Sequence, residues 1–263
     1  WAWRPGRAKK VAELYDSILC LFPFEPAYFQ EAGMEAVFTG HPMTTLLNKA
    51  DRKAFRKEYH IPDDGTAIGV LLGSRESEIR NMEDILIPAA EAIAGSNISK
   101  PYIIVPTLPS LAREIRQMVE HIPTPTMIIT DHKAKQHALA ACDVAMATSG
   151  TVGLELSYLG VPHVIGYKMN RWTYEILKRI VTTKYIHLSN IILDRPAIPE
   201  LIQSHCTAEE FSKRALRLLN DEAVRNEQLE SFEEVRKHIS SEEGRSPSQV
   251  AAEYVYETLK KRG

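Results

Sequence analysis

Two short runs carry residue types suited to gripping phosphate, Gly73-Ser74-Arg75 and Ser149-Gly150-Thr151. Each follows an apolar run and precedes a segment of helical periodicity, so each sits where a strand hands over to a helix. There the free N–H groups of the first helical turn point outward, with the positive end of the helix dipole behind them, and the combination receives anions. Glycine lets the backbone approach a ligand, Ser74 and Ser149 offer hydroxyls, and Arg75 offers a planar fork that matches phosphate. Glu155 lies one turn into the second helix, where its carboxylate can accept two hydrogen bonds from a ribose diol. A plainer reading makes Ser149 or Thr151 a helix cap. A capping box from Thr151 would put its acid at Leu154, however, and the acid is Glu155. For residues 73–75 the plainer reading is an ordinary strand–helix turn with a surface arginine.

The elements needed to hold these turns are legible along the chain. Apolar runs at 17–22 and 35–39 alternate with helical patterns at 7–16, 25–32 and 44–59, giving two quick α/β units and a charged helix. A turn cluster, HIPDDG at 60–65, reads as the entrance to a second series. There, strands are expected at 67–72, 102–105, 126–129, 144–147 and 161–167, with helices at 78–94, 110–119, 133–141 and 152–159 between them. Residues 171–181, 207–220, 222–238 and 246–261 read as helices. Strands alternating with helices at this spacing predict an α/β fold with a Rossmann-like, doubly wound parallel sheet. Loops after the strands of such a sheet share one edge, so the turns at 73–75 and 149–151 are placed to grip one diphosphate.

Composition and missing motifs narrow the chemistry. The 263 residues are 44% hydrophobic and 25% charged with net charge −2, an ordinary globular balance that argues against a general nucleic-acid binder. Neither G-x-x-x-x-G-K-[ST] nor G-x-G-x-x-G occurs, and no His/Cys cluster or D-x-D has metal spacing, so no metal and no cofactor is expected. Three dispersed cysteines, Cys20, Cys142 and Cys206, read as reduced core thiols of a cytosolic protein. His41, His163 and His187 each lie in or beside an apolar strand and read as satisfied core histidines rather than catalysts. Residues 168–179 (KMNRWTYEILKR) mix Trp172 and Tyr174 with Arg171 and Lys178, which suits either an interfacial membrane contact or an ordinary amphipathic helix. The chain starts at Trp1 in what reads as structured sequence, so a fragment is expected.

Taken together, WAWRPGR (1–7), LFPFE (21–25), FTGHP (38–42), GSRESEI (73–79), SGTVGLE (149–155), GYKMN (166–170), LSNII (188–192) and PELIQ (199–203) occur in the order found in one family. The chain resembles lipid-A-disaccharide synthase, a bacterial membrane-associated glycosyltransferase. Leu72 departs from the pattern, since the family usually carries Pro before Gly-Ser-Arg.

The resemblance implies a GT-B-type, metal-independent, inverting enzyme. It would join the donor UDP-2,3-diacylglucosamine to the acylated acceptor 2,3-diacylglucosamine 1-phosphate, in lipid A biosynthesis. It further implies that residues 1–45 are the tail of an acceptor domain, 46–220 the UDP-sugar-binding domain, and 221–263 helices that pack back or exchange in a homodimer. The acid taken as the family's general base lies in the part of that domain missing here, so this chain alone is expected to be inactive. Arg75 and the turn at 149–151 would stabilise the departing UDP. Glu155 would hold the ribose, and residues 129–132 would lie near uracil. Asn190 is a candidate for the sugar or phosphate end through its family motif. Arg171, Trp172 and Lys178 would touch the inner face of the inner membrane, from a peripheral cytoplasmic enzyme. The rival readings are another UDP-sugar enzyme of this architecture, such as a UDP-GlcNAc 2-epimerase, and a nucleotide-sugar-binding module without turnover.

Overall fold

The computed structural model describes residues 6–170, 174–175, 183–241 and 244–262. The chain opens with α1 (Arg7–Ala12), β1 (Ser17–Cys20), α2 (Glu25–Gln30) and β2 (Glu35–Phe38). β1 and β2 pair in parallel with Ile18 beside Ala36. Cys20 and Ala36 close a small core with Ala8, Phe29 and Met34. The single helix expected over 44–59 is instead two, α3 (Met43–Leu46) and α4 (Arg52–Glu58). Ala50 turns extended, and the Asp51 carboxylate accepts the Ala54 N–H at 2.9 Å, which starts the helix afresh.

A six-stranded sheet follows, built from β3 (Thr66–Leu71), β4 (Pro101–Pro106), β5 (Thr126–Ile129), β6 (Val144–Thr148), β7 (His163–Tyr167) and β8 (Glu200–Ile202). Every pairing is parallel, in the order β5-β4-β3-β6-β7-β8. Side chains alternate between two buried faces, as a parallel sheet requires. Ile68, Val70 and Met146 meet α5 (Glu76–Ala94), α6 (Ala112–Val119) and, beyond β8, α10 (Ala208–Asn220). Ala67, Leu71, Ala145 and Ala147 meet α4, α7 (His132–Ala141) and α8 (Thr151–Leu159). The small residues on this second face let α7 and α8 settle close to the strands.

Two elements escape the sequence patterns, α9 (Leu188–Leu193) and β8. β8 is only three residues long and follows Pro196 and Pro199, so it shows no periodicity. It is a strand because β7 offers a free edge, on which Glu200 pairs with Ile165. Two helices close the chain, α11 (Glu222–Ile239) and α12 (Pro247–Arg262). Val235 and Ile239 of α11 pack with Leu154 of α8 and with Met43 and Leu47, and the His41 N–H donates to the Ile239 carbonyl at 2.8 Å. α11 therefore clamps the segment after β2 onto α8.

Candidate functional site

Counted from β3, the six strands run 3-2-1-4-5-6, and the order reverses between β3 and β6. Connections leaving those two neighbours turn to opposite faces, which opens a crevice at their carboxyl ends where ligands bind in doubly wound sheets. Residues 73–75 leave β3 and residues 149–151 leave β6, so the predicted turns form the two lips of one crevice. The buried Thr148 hydroxyl donates to the Leu72 carbonyl at 2.8 Å and ties one lip to the other. Both turns line a single cavity of about 370 Å³, together with Glu155 and with Glu78, Lys135 and Thr148.

The first lip depends on Gly73, whose φ of +118° disfavours any side chain. A Cβ there would lie 2.7 Å from Glu78. The Glu78 carboxylate takes the Ser74 N–H at 2.9 Å and the Arg75 guanidinium at 2.7 Å. The protein's own anion thus occupies the groups expected to meet phosphate. The pair is loosely held, because the Arg75 side chain is 78% exposed. On the second lip, α8 starts from Gly150, which has no side chain to cap it. Ser149 does not cap it either, since its hydroxyl points to the Ile186 carbonyl at 3.5 Å. A Cβ added to Gly150 would meet nothing within 4 Å, so this lip is open to a ligand.

Glu155 reaches the crevice as expected but has a partner. Lys135 of α7 places Nζ 2.8 Å from Oε2 and 3.2 Å from Oε1. Sequence reasoning missed Lys135, which sits twenty positions from Glu155 in a different strand–helix unit and carries no local signal. Glu78 had one, being an acid three residues past the N-terminal boundary residue Arg75. Residues 129–132 do not join the cavity lining, and the Ile129 carbonyl is taken by the Thr107 N–H at 2.9 Å.

Asn190 is not brought to the crevice. It is fully buried, and its amide donates to the Ile198 carbonyl and to Glu200, both at 2.8 Å, while its oxygen accepts the Ile198 N–H at 2.8 Å. Glu200 in turn accepts the N–H groups of Ile186 (3.1 Å) and His187 (2.9 Å). The LSNII and PELIQ motifs therefore hold each other, and between them hold residues 186–187 beside Ser149. His187 also bears on α8, since a Cβ at Gly153 would meet its ring at 2.5 Å.

His163 and His187 meet through their Nε2 atoms at 2.9 Å, while His163 Nδ1 faces the Val161 carbonyl and His187 Nδ1 accepts the Ser189 N–H. These bonds suit two neutral rings of opposite tautomer, the satisfied core histidines expected from sequence. Burial pushes His163 down to about 4 and lowers His187 as well. His41 is half-buried, and desolvation lowers it against the opposing pull of Glu25 and Glu155. Burial raises the thiols of Cys20 and Cys206 to about 11 and of Cys142 to about 12, so none is a ready nucleophile.

Arg171, Trp172 and Lys178, like residues 1–5, lie outside the described residues. Among the described residues no helix is long and apolar enough to cross a membrane. A larger cavity of about 640 Å³ lies between β8, α10 and α11. Its cations already face acids, Arg214 with Glu210 and Arg217 with Asp221, and neither turn reaches it.

A family model described as lipid-A-disaccharide synthetase matches residues 1–254. The lipid-A-disaccharide synthase of Rhodospirillum centenum is 38% identical over 266 residues, covering 100% of this chain and 65% of the relative. That of Gluconobacter oxydans is 32% identical over 269 residues, covering 98% of this chain and 62% of the relative. The chain thus spans less than two thirds of the length of either curated relative. Among solved structures, the wall teichoic acid polymerase TagF superposes with a TM-score of 0.59 at 14% identity, covering 98% of this chain and 61% of that one. That likeness is one of fold, the α/β arrangement of GT-B glycosyltransferases.

Proposed function

Because the chain belongs to the lipid-A-disaccharide synthetase family, we propose that its crevice holds the UDP moiety of an acylated sugar donor. The reaction is an inverting, metal-independent hexosyl transfer from UDP-2,3-diacylglucosamine to 2,3-diacylglucosamine 1-phosphate. One observation carries this reading. The two Gly/Ser turns meet at the strand-order reversal, tied by Thr148 to Leu72 at 2.8 Å, with Arg75 and Glu155 on the walls of the same cavity.

The residues divide the work by chemistry. As the bond from the sugar to the diphosphate breaks, negative charge gathers on the leaving phosphate. The uncapped start of α8 meets that charge as a fixed group that needs little reorganisation, and Arg75 joins it by changing partner. To reach the diphosphate, Arg75 leaves Glu78, an exposed pair that costs on the order of 0–1 kcal/mol to break. Glu155 receives the ribose hydroxyls. Asn190 acts at a distance, by holding the residue 186–187 segment against the second lip.

Residues 46–220 form the donor-binding unit in this reading. Residues 1–45 belong to the acceptor-binding unit, and the helices of residues 221–263 pack back on it or exchange between the subunits of a homodimer. The basic and aromatic side chains Arg171, Trp172 and Lys178 bring the site to an anionic membrane surface that presents both acylated substrates. Through these groups the chain is expected to bind UDP without a metal ion. Calorimetry with UDP, with and without EDTA, tests the reading. Binding that persists in EDTA is the expected result. Binding abolished by EDTA, or no binding of UDP at all, overturns the assignment of roles.

A further inference from the structure

The crevice contains two ion pairs, and their surroundings assign them different fates. Arg75–Glu78 is exposed only at its cation, with 78% of the Arg75 side chain but 19% of Glu78 in solvent. Lys135–Glu155 is sunk into the wall, with side chains 34% and 20% exposed. A cation that lies mostly in solvent exchanges its partner readily, whereas one held partly out of solvent against its carboxylate is the costlier to withdraw. An arriving diphosphate therefore takes Arg75 and leaves Lys135 where it is.

The geometry of the second pair gives Lys135 a task. Its ammonium stands against both oxygens of Glu155, at 2.8 and 3.2 Å. A carboxylate oxygen has two lone-pair positions, so one on each oxygen remains for a further donor. Two vicinal hydroxyls need two such acceptors at a fixed angle. The Lys135 charge also offsets Glu155, which otherwise would oppose a diphosphate bound on the neighbouring turns.

We propose that Lys135 is a positioning residue for nucleotide recognition: it orients and neutralises Glu155, so that the Lys135–Glu155 pair selects nucleoside diphosphates with an intact 2′,3′-diol. This rests on the donor-site reading above.

The experiment compares UDP with 2′,3′-dideoxy-UDP by calorimetry on the purified protein and on its Lys135→Met and Lys135→Arg variants, with thermal melts alongside. Met keeps the apolar stem and removes the charge. The wild-type protein is expected to prefer UDP by about ten-fold or more, the scale of hydrogen bonds to a charged acceptor. In Lys135→Met the preference should fall to about two-fold or less, and Lys135→Arg should restore most of it. A residue that only supported the fold would lower both affinities together and leave their ratio unchanged. An unchanged ratio in folded Lys135→Met overturns the role of Lys135 alone. A wild-type protein that binds both ligands equally overturns the ribose role of Glu155 with it, and one that binds neither overturns the donor site.

Discussion

Replacing Arg75 with Ala is expected to weaken UDP by about 2- to 150-fold and to leave uridine unchanged. In the unliganded crevice the guanidinium is spent on Glu78 at 2.7 Å, in a pair exposed enough to contribute on the order of 0–1 kcal/mol. A charge-assisted bond to a phosphate oxygen contributes roughly 1.5–3 kcal/mol. The difference, about 0.5–3 kcal/mol, corresponds to the stated loss of about 2- to 150-fold. Uridine has no group for Arg75 to meet. The same comparison predicts the opposite sign at Glu78. Glu78→Gln keeps an acceptor for the Ser74 N–H at 2.9 Å but removes the competing charge. UDP should then bind up to about five-fold more tightly, the upper end of an exposed pair's worth. Calorimetry with UDP and uridine at one ionic strength reads both variants. An equal loss for the two ligands in Arg75→Ala would show that the arginine supports the fold rather than the diphosphate. Weaker UDP binding in Glu78→Gln would refute the exchange of partners and make Glu78 a required part of the turn.

Glu155→Gln should cost UDP one or two charged hydrogen bonds, roughly 1.5–3 kcal/mol each before compensation, in a protein that still folds but melts lower because Lys135 loses its partner; equal UDP affinity by calorimetry would leave Glu155 a structural partner of Lys135. Asn190→Ala strands the buried Ile198 N–H and Glu200, so it should lower stability by about 1–3 kcal/mol in urea, and a loss of UDP binding without any loss of stability would return Asn190 to the ligand. Burial holds His163 and His187 neutral, His163 at about 4, while an unfolded histidine titrates near 6.5. Below about 6.5 the unfolded chain therefore gains protons the folded one refuses. Stability is complete above that pH and declines towards about 4, by at most about 1.4 kcal/mol per pH unit per ring; urea midpoints across this range that fall no faster in wild type than in a His163→Gln/His187→Gln double variant would sink the assignment. Trp172→Ala combined with Arg171→Glu and Lys178→Glu should release the protein from anionic vesicles, and co-sedimentation that survives all three changes would place the membrane contact elsewhere.

What could be read from the chain was local. Gly73 and Gly150 mark backbone that must approach a ligand, apolar runs mark buried strands, and helical spacing after each turn marks an exposed helix start. These signals lie within a few residues of one another, so they survive without the fold, and they located both lips of the crevice and Glu155. The motifs around Asn190 were visible too, but not their purpose. Only the folded chain shows that LSNII and PELIQ bond to each other through Asn190 and Glu200. Strand β8 and the break at residues 50–51 were hidden for a related reason. A three-residue strand has no period, and it exists because β7 presents an edge to it. The tertiary structure alone decided that β3 and β6 are neighbours, which places the two turns in one cavity, and that Lys135 meets Glu155. Both depend on which helices pack on which face of the sheet. That is settled by burial summed over the whole core, and no window of sequence contains it.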